Sequence, residues 1–211
     1  MSGPHAPGTT ADASAAPAAT TAPSTAGERC RVLVAGVGNI FLGDDGFGVE
    51  TVRRLAAQPL PEGVEAVDFG VRGVHLAYQL LDGYRTLVLV DATERGDRPG
   101  TLYLIEATGA HPVEPGYSLL DGHRMGPDAV LALMTTLSAG TGTSPPERVL
   151  VVGCEPESVD ERLGLSPVVA AAVDRAVELV LQVVRDGEAR GLGRPTGVGG
   201  PVAGRVERKV P

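Results

Sequence analysis

Asp44 and Asp45 stand side by side in GVGNIFLGDDGFG, which runs from Gly36 to Gly48 directly after the apolar run VLVA. Asp91 closes another apolar run, TLVLVD, and His123 lies in LLDGHRMGPDAVLALM, in a turn ahead of an amphipathic helical pattern. A carboxylate at the mouth of a buried strand is costly unless it is paired or coordinated. An imidazole at a helix N-terminus is held neutral and keeps a lone pair for a metal. Two carboxylates and one histidine from separate loops therefore make a mixed oxygen and nitrogen set. Such a set suits zinc or nickel, with a position left open for water or a foreign ligand. Plain structural roles compete at each position. Asp44 or Asp45 can cap the following helix, Asp91 can form a turn, and His123 can be structural. One of the adjacent aspartates is expected to cap only, and Asp44 is the choice.

The glycine spacing invites a phosphate reading, and the residues argue against it. In G-x-G-x-x-G counted from Gly36 and Gly38, the third glycine falls on Phe41. A P-loop from Gly38 to Gly43 needs Lys and then Ser or Thr, where this chain has Asp44 and Asp45. A carboxylate pair repels phosphate and attracts a cation. Covalent catalysis is equally unsupported. Cys30 and Cys154 form no C-x-x-C pattern, Glu155 beside Cys154 disfavours a thiolate, and no G-x-S-x-G occurs. The other histidines read as bland: His5 near the N-terminus, His75 in a helical pattern, His111 in a Pro-rich loop.

Elements able to position such a site follow from the apolar patterning. Arg31–Ala35, Val64–Phe69, Thr86–Val90, Thr101–Ile105 and Arg148–Val152 read as short strands. Helical patterns cover Gly46–Ala57, Val74–Leu81, Gly126–Ser138 and Pro167–Arg185. In the last, Ser166 is the cap, Pro167 suits the first turn and Gly187 is a stop signal. The alternation predicts an α/β fold: a three-layer sandwich with a mostly parallel, five-stranded twisted sheet and helices on both faces. TERGDRPG, between the third and fourth strands, is too short for a crossover helix, so the fourth strand is expected to be antiparallel. With a strand order beginning 2-1-3, the glycine loop and Asp91 meet across the crevice where strand order reverses.

The 211 residues, 43% of them hydrophobic, suit one domain, placed at 29–186. Residues 1–28, rich in Ala, Pro, Thr and Ser, read as a disordered tail, and 187–211 as a flexible one. The net charge of -8 disfavours nucleic acid and anionic membranes as partners. Neither a secretory signal nor a membrane-spanning run is evident, and the expected setting is the cytoplasm, as a monomer.

GVGNIFLGDDGFG, LVLVDA, GHRMG and GCEPESVDERLGLSP, in this order, resemble the hydrogenase maturation endopeptidases, over roughly Arg31 to Arg185. The resemblance implies an endopeptidase that trims a C-terminal peptide from the large-subunit precursor of a nickel–iron hydrogenase after nickel insertion. It implies metal contacts at Asp45, Asp91 and His123, and the choice of Asp45 over Asp44 rests largely on it. The nickel would arrive with the precursor, with zinc or another divalent cation able to substitute. GCEPESVDERLGLSP is then part of the wall facing the precursor, or a plain strand-to-helix connection. The N-terminal stretch and the GTGTSPPE loop depart from the family pattern. Two rival readings are a self-sufficient zinc-dependent peptidase and a non-catalytic nucleotide-binding or chaperone module.

Overall fold

Three strands of the sheet are apolar along nearly their whole length because both of their faces are covered. They are β1 (Val32–Val37), β3 (Thr86–Ala92) and β5 (Arg148–Cys154). The computed structural model describes residues 31–107, 132–134, 136–137, 142–189 and 206–210. The remaining strands are β2 (Val64–Gly70), β4 (Leu102–Ala107) and β6 (Val206–Val210). They join in the order β2-β1-β3-β5-β4-β6. The first four are parallel, and β4 runs antiparallel to both β5 and β6. As the short TERGDRPG link requires, β4 does not continue the parallel run, and it pairs beyond β5 rather than beside β3.

Alternate residues of the strands feed two cores. On one face Val32 and Val34 of β1, Val88 and Val90 of β3, and Leu150 and Val152 of β5 meet two helices, α1 (Phe47–Ala56) and a long C-terminal one. On the other, Leu33, Ala35, Leu87, Leu89 and Val151 meet α2 (Gly73–Leu80) and Met134, which lies in a helical segment. The result is the three-layer α/β architecture read from the sequence, and β1 sits between β2 and β3 as expected.

Several expectations need correction. The sheet has six strands rather than five: β6 lies within 187–211, the stretch read as a tail. VERKV is too charged to read as a strand, and its backbone partners come from the β4 edge. The helix expected at 167–185 is two helices, α3 (Pro167–Ala170) and α4 (Val173–Ala189). Ser166 caps α3 as predicted, its hydroxyl accepting from the Val169 N–H. Gly187 does not stop α4, because the buried Val183 and Val184 hold its last turns on the sheet. Ahead of α1, the chain makes a 3₁₀ turn at Gly43–Gly46, which carries both aspartates. Most of the helix expected at Gly126–Ser138 lies outside the described residues.

Candidate active site

The glycines of the first loop allow backbone to lie directly on backbone. A Cβ added to Gly48 would stand 2.1 Å from the Val90 carbonyl oxygen and 2.3 Å from that of Val37. One on Gly36 would stand 2.4 Å from the Gly48 oxygen. Gly38 adopts φ +128, and its Cβ would meet the Asp45 carbonyl at 1.8 Å. The start of α1 is thus pressed onto the ends of β1 and β3, with no side chain between them. These glycines serve close packing and no phosphate.

That contact sets Asp45 at the carboxyl ends of the parallel strands, in the crevice where strand order reverses. The Asn39 N–H donates to Asp45 Oδ2 at 2.6 Å, and the Asn39 side chain accepts from the Phe41 N–H at 3.0 Å, which fixes the loop. Asp91, next to last in β3, lies across from it. Burial pushes the Asp91 carboxyl up to about 8, and the nearby charge of Asp45 adds to the shift, against a lowering hydrogen bond from the Ala92 backbone. The two carboxylates are therefore close enough to repel each other. A cation between them relieves that repulsion, so the donor set fits a divalent ion. His123, the third expected contact, lies outside the described residues. Among the described residues, no cluster of three His, Cys, Asp or Glu side chains is gathered to hold a metal.

Asp44 has a different task from the one expected. It makes no helix-capping hydrogen bond and is completely buried. Its carboxylate accepts from the Ser166 N–H at 2.6 Å, the Glu157 N–H at 2.8 Å, the Ser166 hydroxyl at 2.9 Å and the Ser158 N–H at 3.3 Å. The Arg162 guanidinium stands 3.8 Å away. Burial alone would raise its pKa, but these donors outweigh it and hold the carboxyl below its ordinary value. Asp44 thus ties the 3₁₀ turn that carries Asp45 to the loop between β5 and α3.

Glu155 has a structural task that the sequence reading missed. Only 3% exposed, it accepts from the Arg95 N–H, the Gly96 N–H and the Tyr103 hydroxyl at 2.7 to 3.1 Å. Burial would raise its pKa, and those donors bring it below the ordinary value. It anchors the loop that leaves β3 directly after Asp91. The Tyr103 hydroxyl also lies 2.9 Å from Asp97, so its one proton is shared between the two carboxylates, and the other Asp97 oxygen receives Lys209 of β6. The clue in the sequence was a carboxylate directly after an apolar strand, the same signal that singled out Asp91.

Cys154 is buried, and its thiol is pushed up to about 12, mainly by burial and then by the charge of Asp44. A thiolate nucleophile is excluded at neutral pH. His75 is exposed on α2, away from the site.

A doubly wound sheet with facing carboxylates at its switch point makes this an α/β protein whose crevice suits a cation rather than a phosphate. The sequence pattern of the hydrogenase maturation proteases matches residues 49–183, which include Asp91 and His123 and begin just past Asp45. The hydrogenase 2 maturation protease of Escherichia coli is 31% identical over 158 residues, covering 74% of this chain and 92% of its own length. The solved structure of the hydrogenase maturating endopeptidase HybD from E. coli superposes with a TM-score of 0.60 at 31% identity, over 74% of this chain and 93% of that one. The hydrogenase 2 maturation peptidase of a Thaumarchaeota archaeon gives 0.56 at 35% identity, over 74% and 98%. The chain belongs to the hydrogenase maturation protease family and is an endopeptidase of that kind.

Proposed function

We propose that this enzyme removes the C-terminal extension of a nickel–iron hydrogenase large-subunit precursor after nickel insertion, with Asp45, Asp91 and His123 meeting the nickel that the precursor carries. The observation that supports this most is the raised Asp91 carboxyl, pushed up mainly by burial and then by the charge of Asp45, because a cation bound beside both would favour its ionised form. The nickel supplies positive charge that can polarise the scissile carbonyl or acidify a water. Asp45 and Asp91 orient it, and an ionised carboxylate beside it can take the proton of an attacking water. No helix among the described residues is long and apolar enough to cross a membrane.

The test compares nickel-loaded and nickel-free precursor, mixed with purified enzyme and resolved by size. Only the loaded form should shorten. Equal processing of both, or hydrolysis of a generic unfolded protein, would favour the self-sufficient zinc peptidase instead.

A further inference from the structure

Two exposed loops beside the site are joined as a small rigid platform. The Arg162 N–H donates to the Phe41 carbonyl at 3.0 Å, the Gly43 N–H to the Arg162 carbonyl at 2.8 Å, and the Asp44 N–H to the Ser158 carbonyl at 3.0 Å. The Asp44 carboxylate holds the second loop from beneath. On this platform Phe41 is 64% exposed, Leu163 72% and Val159 40%. Large apolar side chains fixed in water by a hydrogen-bonded frame mark an interaction surface, because their burial is left for a partner to complete.

Beside Leu163 a groove of about 330 Å³ opens between α1 and the second loop, its apolar lining including Ile40, Leu165 and Val173. Arg53 and Arg54 on its α1 wall are engaged by Asp68, Asp174 and Glu50. Glu157, Asp160 and Glu161 are exposed on the second loop, where the Asp160 carboxylate accepts from the Ser158 hydroxyl. The platform is therefore apolar, with a fringe of three carboxylates and the exposed Arg162 that is acidic on balance.

We infer that Phe41 and Leu163 are the anchors on which the hydrogenase precursor docks, through an apolar side chain flanked by basic residues. The inference rests on the function proposed above. Phe41 and Asp45 belong to one short loop, so a protein that delivers a peptide bond to Asp45 and Asp91 must lie across this platform. The exposed carboxylates select a basic neighbourhood on that protein.

The experiment measures cleavage of the nickel-loaded precursor from the same organism by the full-length enzyme and its Phe41→Ser/Leu163→Ser double variant. KM should rise roughly tenfold or more, with kcat held within about twofold and the melting temperature unchanged. An unchanged KM in the variant overturns the docking assignment and leaves the proposed function standing. A parallel loss of kcat and melting temperature also overturns it, since the platform would then be structural. Concentration-dependent dimerisation of the wild type that the variant abolishes would give the patch to a second copy. Failure of the wild type to shorten the precursor would instead remove the proposed function, and the docking partner with it.

Discussion

Asp44 and Asp45 are neighbours with opposite surroundings: one meets a full set of donors, the other an opposing carboxylate. In Asp44→Asn the new amide would point N–H groups at the N–H donors of Ser166 or Glu157. The expected cost is about 2–4 kcal/mol at neutral pH, far beyond a lost cap, and thermal denaturation would show it. Because the folded pKa of Asp44 is depressed, its contribution is present above the ordinary carboxylate value. It fades as pH falls through the folded value. Asp91 has the reverse sign. Its folded value near 8 means that the folded state pays a growing penalty as pH rises from about 4 to about 8. Asp91→Asn removes that penalty. The metal-free variant should outlast the wild type at pH 8.5 by on the order of 1–2 kcal/mol while its cleavage is lost, and melting curves at pH 5 and 8.5 would reveal the divergence. Residue types and their places after apolar runs were enough to single out Asp91 and the Asp44–Asp45 pair, while the choice of Asp45 within the pair came largely from the family resemblance. The task of Asp44 was not legible, because its donors lie more than 110 residues away in sequence. Nor was that of Glu155, whose partners lie in the loop after β3 and in β4.

Among the elements, strands were the easiest to read, since a strand buried on both faces leaves a continuous apolar run. Each of β1 to β5 was expected within two residues of its observed ends, the excess falling mostly at the site, where β1 and β3 extend to Val37 and Ala92. Helix interiors were legible and their breaks were not. The interruption between α3 and α4 falls among alanines, which carry no stop signal. The 3₁₀ turn before α1 is set by the tertiary approach of α1 to the strands. Gly48→Ala tests that approach. Its methyl would overlap two carbonyl oxygens fixed in β-ladders, so a loss of more than about 3 kcal/mol is expected, checked by urea unfolding.

At the level of the whole molecule, the sixth strand is the largest departure from expectation. It covers the β4 edge, Val210 packs on the core, and Lys209 reaches Asp97 in the loop that follows Asp91. Ending the chain at residue 205 would bare the β4 edge, a template for strand pairing between copies. Such a truncation should lower the melting temperature by several degrees and raise light scattering on warming. Unchanged values for both would show that β6 adds nothing to the sheet.

The backbone-on-backbone contact at Gly36, Gly38 and Gly48 also sets how the protein withstands change. The catalytic turn is held against peptide groups, so its position is nearly independent of which apolar side chains fill the layers around it. Swaps of similar volume in the strands should leave catalysis intact at some expense of rigidity. A methyl group added at any of the three glycines has nowhere to go. A complete substitution scan, scored for cleavage, would then invert the familiar ranking, with its least forgiving sites including positions that have no side chain at all.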